Sequence, residues 1–242
     1  MKIATHDGTA RAWEFAPDRV GPGPAVVFYM DGIGPRPALF EMAERIAQHG
    51  YFVLLPDMFY RAIPYESPDP KRLFSDPEIR AAWRDKIAAS TSRETAMRDT
   101  ESFLAYLATH KAVSSPRVGT TGYCMGGAFS LSAAGTYPDR VVAAASFHGG
   151  NLANDEPASP HLLAPKIKAR VYIAAAIEDP SFPDDMKQRL DTALAEAHVD
   201  YKIETYPARH GWVPRDTPVH DAAQVERHWQ ALFELFDSTL RA

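Results

Sequence analysis

The chain has 242 residues, 45% of them hydrophobic, and a formal net charge of −5 from 26 Lys and Arg against 31 Asp and Glu. This length suits one α/β domain over residues 1–242 better than two. The acidic balance lacks the basic patch that a nucleic-acid partner needs, and no run of about 20 apolar residues is present to span a membrane. The start, Met1-Lys2-Ile3-Ala4-Thr5-His6-Asp7, has no apolar signal-peptide core. The single cysteine, Cys124, cannot form an internal disulfide, and a reactive thiolate lasts best in a reducing compartment, so the expected location is the cytoplasm.

Residues 2–15 read as a hairpin, Lys2–His6 and Thr9–Phe15 around an Asp7-Gly8 turn. The apolar run Ala25–Met30 predicts a buried parallel strand, followed by the loop Asp31-Gly32-Ile33-Gly34-Pro35. A helix is expected over 37–49, with Leu39, Met42, Ala43 and Ile46 on one face and Gly50 ending it. Tyr51–Leu55 is the next buried strand. The proline-rich stretch 56–75 reads as a long active-site loop rather than a domain linker.

Two helices follow, one opened by Asp76 or Pro77 and running to Ala89, the other capped by Thr91 or Ser92. Arg117–Thr121 is a strand, and 128–134 has helical character. Val141–Phe147 is again an apolar strand, with a second long loop at 148–168. Ala169–Ala176 is a strand, 183–198 a helix, Tyr201–Tyr206 a strand and 218–240 a final helix that buries Trp229, Leu232 and Phe236. Strands alternating with helices after an antiparallel start predict a mostly parallel sheet with helices on both faces. Sites in such sheets lie beyond the strand C-terminal ends, where Asp31, Asp57, Cys124, His148, Asp179 and His210 all fall.

The stretch Gly122-Tyr123-Cys124-Met125-Gly126-Gly127, between a strand and a helix, has the pattern of a nucleophile elbow with cysteine in place of the commoner serine. The turn is tight enough that a Cβ at Gly122 or Gly126 would collide with it. It lifts the sulfur above the sheet edge and sets the Met125 N–H at a helix start, where an oxyanion can be held. Asp179 then follows one strand and His210 the next, which is the nucleophile–acid–histidine order of α/β-hydrolases.

The chain resembles the dienelactone hydrolase family, the cysteine branch of the α/β-hydrolases. The matching pieces are Gly-Tyr-Cys-Met-Gly-Gly at 122–127, Leu-Pro-Asp-Met-Phe-Tyr-Arg at 55–61, Glu-Asp-Pro at 178–180 and Arg-His-Gly-Trp at 209–212. The resemblance implies hydrolysis of a carboxylic ester or lactone of the carboxymethylenebutenolide type. Cys124 would be the nucleophile, His210 its base, and Asp179 the group that orients the histidine. The second oxyanion donor is expected at the N–H of Gly32, with Ile33 the alternative. Such chemistry needs neither a metal nor an organic cofactor.

The family carries a glutamate after the third strand that helps to activate the thiol, and Asp31 occupies that place. Aspartate is one methylene shorter, so it either activates Cys124 or simply turns the loop and pairs with Arg36. A carboxylate-bearing substrate calls for an arginine, and Arg80, Arg84 and Arg215, with Arg61 behind them, are the candidates. His148 either lines the pocket or makes a structural hydrogen bond. Trp212 walls the pocket or packs, and Asp57 is expected to hold loop amides. His220 and His228 read as surface residues of the last helix, without a carboxylate or cysteine to complete a metal set. The expected partner is a small ester or lactone, with the chain monomeric or homodimeric. The rival readings are a broader carboxylesterase or thioesterase on the same three residues and a non-catalytic small-molecule binder on the same fold.

Overall fold

The computed structural model describes residues 1–19 and 21–241. Among these residues eight strands form one sheet: β1 (Lys2–Thr5), β2 (Gly8–Phe15), β3 (Gly23–Tyr29), β4 (Phe52–Pro56), β5 (Val113–Tyr123), β6 (Val141–Phe147), β7 (Arg170–Ala176) and β8 (Tyr201–Tyr206). Their spatial order is β1-β2-β4-β3-β5-β6-β7-β8. The first two pairings, β1 with β2 and β2 with β4, are antiparallel. Every later pairing is parallel, as the near-continuous apolar runs of these strands imply. Thr5 pairs with Gly8, so the hairpin turn is His6-Asp7, one residue earlier than the Asp7-Gly8 dipeptide suggests.

Seven helices among the described residues cover the sheet: α1 (Pro37–Gln48), α2 (Pro70–Ser75), α3 (Pro77–Ala88), α4 (Arg93–Thr109), α5 (Met125–Thr136), α6 (Asp184–Glu196) and α7 (Ala222–Leu240). Local chemistry sets their ends. α1 opens on Pro37, whose missing N–H costs nothing in a first turn, and Gly50 just beyond it takes φ 102°. Asp76 caps α3 by accepting from the N–H groups of Glu78 and Ile79, and Ser92 caps α4 in a reciprocal box with Thr95.

Four expectations change. The stretch 56–75 is not all loop, because Asp69 caps α2 through the Arg72 N–H and a 3-10 turn spans Tyr60–Ala62. A second 3-10 turn, Pro160–Lys166, lies inside the long loop after β6. The last helix starts at Ala222 rather than 218, with Asp221 as its cap, while the Asp221 N–H reaches back to the carbonyl of Trp212. His220 therefore lies before the helix. His228 is not a surface residue: it is fully buried, and Nε2 meets the Tyr123 hydroxyl at 2.8 Å. Burial holds its pKa down at about 3.

The core beneath the site is aromatic. Tyr123 stacks on Phe28 at 5.0 Å and on Phe147 at 5.6 Å, so β3, β5 and β6 are tied together directly below their C-terminal ends. Among the described residues no helix is long and apolar enough to cross a membrane. Fully buried Phe236 of α7 packs edge-on against Tyr51, and its ring edge lies 2.9 Å from where a Cβ on Gly119 would stand. Replacing it with alanine should cost about 3–5 kcal/mol in urea unfolding, and a loss under about 1 kcal/mol would show that α7 contributes little to the core.

Candidate active site

Cys124 sits between β5 and α5 at φ 54°, ψ −118°, outside the usual backbone regions. The glycines allow it. A Cβ on Gly122 would stand 1.8 Å from the Gly126 carbonyl oxygen, and one on Gly126 would stand 2.4 Å from that of Tyr29. The Cys124 N–H is shared between the Phe147 carbonyl and His148 Nδ1, each at 3.1 Å. Met125 opens α5, so its N–H has no acceptor within the helix.

Asp179 follows β7, just after Glu178 with its positive φ of 50°. Its Oδ1 accepts from the Ser181 N–H at 2.9 Å and the Ser181 hydroxyl at 2.6 Å, and its Oδ2 lies 2.7 Å from His210 Nδ1. The Ser181 hydroxyl is also 3.3 Å from His210 Nδ1. Ser181 is a member of this group that sequence reasoning missed; Asp179-Pro180-Ser181 carries no spacing signal for it. Burial pushes the Asp179 carboxyl up, but the hydrogen bonds and charge from His210 and the bonds from Ser181 hold it below its ordinary value.

With Nδ1 engaged, Nε2 is the nitrogen that His210 has left for the thiol. Burial works against an imidazolium at His210, yet the negative charge of Cys124 and its bonds to Asp179 push it up to about 10. Burial likewise pushes the Cys124 thiol up, and the charge and hydrogen bond of His210 overcome this, so it falls below its ordinary value. The Gly32 N–H bonds the sulfur and adds to the lowering, while Asp31 opposes it. The two groups titrate as a pair that favours thiolate and imidazolium.

The Asp31 carboxylate is engaged on both oxygens. Arg36 grips it with both guanidinium ends, Nη1–Oδ1 at 2.7 Å and Nη2–Oδ2 at 2.9 Å, and Oδ1 also accepts the Ile33 N–H at 3.0 Å. Of the two readings of Asp31, loop turning and pairing with Arg36 is the one this geometry favours. The Ile33 N–H is thus turned toward Asp31. Arg36 also donates from Nε to Asp216 Oδ2 at 2.7 Å, so one buried guanidinium joins the loop after β3 to the loop that carries His210.

Two cavities meet at Cys124 and His210. One, of about 310 Å³, is of mixed lining, with Thr91, Ser92, Arg93, Asn151 and Ser181 on one side and Met125, Ala128 and Phe129 on the other. The other, of about 200 Å³, is more apolar, with Ile33, Leu73, Phe74, Gly211 and His148 in its walls and Arg80 at its edge. Of the arginines read from sequence, Arg80 is the one that lines either of these two cavities among the described residues. Arg215 pairs with Glu41 on the surface, and exposed Arg84 stands 4.0 Å from Asp85. Arg61 is engaged by Asp7 and Asp99 at 2.6 and 2.8 Å. Sequence reasoning does not single out Arg93; its place in the wall of the first cavity depends on how α4 is set, which its sequence does not encode.

Trp212 is buried and stacks on Tyr206 at 5.2 Å. Asp57 holds the Phe59 N–H at 2.9 Å and Arg11 at 2.7 Å, the loop-anchoring part expected of it.

A mostly parallel sheet with a strand–turn–helix elbow and its acid and histidine after later strands defines the chain as an α/β-hydrolase. The model of the dienelactone hydrolase family matches residues 10–240, and the chain belongs to that family. A Synechocystis sp. protein with the provisional name carboxymethylenebutenolidase is 28% identical over 229 residues, covering 93% of this chain and 90% of its own. The Pseudomonas putida carboxymethylenebutenolidase is 27% identical over 143 residues, covering 59% of this chain and 58% of its own. In structure, a Klebsiella pneumoniae protein provisionally named dienelactone hydrolase aligns with TM-score 0.84 at 20% identity, over 98% of this chain and 96% of that one.

A free cysteine thiol titrates near a pKa of about 8.5, and only the thiolate is alkylated quickly. The rate of Cys124 alkylation by iodoacetamide should therefore rise with pH through a midpoint below that value, and His210→Ala should move the midpoint up. A wild-type midpoint at or above that of a free thiol would contradict the ion pair.

Proposed function

We propose that the chain hydrolyses a carboxylic ester or lactone of the carboxymethylenebutenolide type through Cys124, His210 and Asp179. The observation that carries this reading is the 2.7 Å contact of His210 Nδ1 with Asp179 beside a cysteine on a strained elbow. The names of the curated relatives agree with it.

The Cys124 thiolate attacks the carbonyl carbon, and the oxygen of the tetrahedral intermediate takes the negative charge. The N–H groups of Met125 and Gly32 receive that charge; losing one such donor typically costs about a hundred- to a thousandfold in rate. The carbon–oxygen bond to the alcohol breaks, and the leaving alkoxide takes a proton from the His210 imidazolium. In a lactone that alcohol stays joined to the acyl group. Water then attacks the thioester and gives its proton to His210. The carbon–sulfur bond breaks, leaving the carboxylic acid and the thiolate. Asp179 fixes the histidine tautomer and balances its charge throughout.

A specific observation keeps a second reading in view. Of the arginines proposed for a substrate carboxylate, Arg80 lines one of the two cavities at Cys124, and that cavity is the more apolar one. This favours a broader carboxylesterase or thioesterase on the same residues.

Turnover of cis- and trans-dienelactone beside p-nitrophenyl acetate separates the two. The narrow reading predicts fast dienelactone hydrolysis, lost by orders of magnitude in Cys124→Ala, and selectively weakened in Arg80→Gln. Turnover of the neutral ester alone moves the protein to the broader reading. Activity that survives in Cys124→Ala contradicts both.

A further inference from the structure

Cys124 holds a positive φ that a side chain disfavours, so something around it must fix the turn. The flanking glycines permit the conformation without enforcing it. The groups that bind the Cys124 backbone N–H directly are the Phe147 carbonyl and the ring of His148.

His148 follows β6 and is 1% exposed. It too has a positive φ, 40°, and its own N–H is tied to the Ala174 carbonyl at 2.8 Å. Its Nδ1 accepts the Cys124 N–H at 3.1 Å, which assigns the ring proton to Nε2. Nε2 has no hydrogen-bond partner among the described residues. The ring edge stands against His210, with centroids 5.2 Å apart, and against Trp212 at 4.9 Å.

A buried donor without a partner is destabilising, and a leucine would fill the same space without that cost. Packing alone does not account for an imidazole here; the acceptor at Nδ1 does. We propose that His148 is a positioning residue that locks the Cys124 backbone in its turn through this hydrogen bond and so keeps the sulfur within reach of His210. The proposal rests on the reading of Cys124 as nucleophile. Burial first, and then the positive charge of His210, push the His148 pKa well below its ordinary value. The ring thus stays neutral, and Nδ1 keeps the lone pair that the Cys124 N–H needs.

Two amide substitutions test this by placing an acceptor at different ring positions. The side-chain oxygen that His148→Asn introduces can sit where Nδ1 is, and asparagine tolerates positive φ. His148→Gln is closer to histidine in volume but carries its oxygen one methylene further out, near the Nε2 position. His148→Ala serves if the glutamine variant does not fold.

kcat and KM for p-nitrophenyl acetate and the rate of Cys124 alkylation at fixed pH are measured on variants with wild-type circular dichroism. The Asn variant should keep most of both rates. The Gln and Ala variants should lose about tenfold to a hundredfold in kcat and in alkylation rate, with KM little changed. A Gln variant that matches or exceeds the Asn variant would overturn the proposal, since a packing role predicts that order. Wild-type Cys124 inert to both ester and iodoacetamide would instead overturn the reading of the site, and this proposal with it.

Discussion

The site depends on one close approach, where β5 turns into α5 at Cys124. The backbone at Gly126 passes so near Gly122 and the end of β3 that no side chain fits at either glycine. That contact leaves room for the φ of 54° at Cys124, and α5 starts at Met125 directly after it. Strain of this kind persists only when the surroundings over-determine it. Here they do so with the Tyr123 stack below, the Phe147 carbonyl and His148 beside the turn, and the first turn of α5 above it.

The second constraint is electrostatic. Asp31 and Arg36, both buried, and half-buried Asp216 form a chain of charge that joins the loop after β3 to the loop after β8. Removing one partner of the buried Asp31–Arg36 pair typically costs about 3–5 kcal/mol, because the other is left buried and unpaired. Its bearing on the chemistry is local. The Asp31 charge, by itself, would raise the Cys124 thiol, and a guanidinium held on both its oxygens offsets that charge. The loop that carries the Gly32 N–H is fixed by the same contacts, through the Ile33 N–H on Asp31 and the Trp83 Nε1 bond to the Gly32 carbonyl at 2.7 Å.

Much of this was legible in the sequence, because its strongest signals are local. Glycines at 122 and 126 around Cys124 announce a turn by sterics alone, and apolar runs ending in Asp179 and before His210 put these residues at one rim. What was not legible depends on how segments pack. The arginines illustrate it: Arg80 and Arg84 are one helical turn apart on α3, yet Arg80 lines the cavity at Cys124 and Arg84 stands exposed beside Asp85. Ser181 and Arg93 join the site because of loop and helix placement, which composition does not encode. His228 is expected at the surface because no carboxylate or cysteine completes a metal set with it and His220, whereas the hydroxyl of Tyr123 gives its ring a buried partner. The pairing of Asp31 with Arg36, five residues on, is a local contact that the loop sequence allows but does not require.

The central claim is that the Cys124 sulfur takes the acyl group from the substrate. The most direct measurement is mass spectrometry of protein quenched within milliseconds of mixing with p-nitrophenyl acetate, with peptide mapping of any adduct. The account predicts a single acetyl group on Cys124 that forms with the p-nitrophenol burst and decays with turnover. Turnover with no adduct on Cys124, or an adduct on another residue, would contradict it.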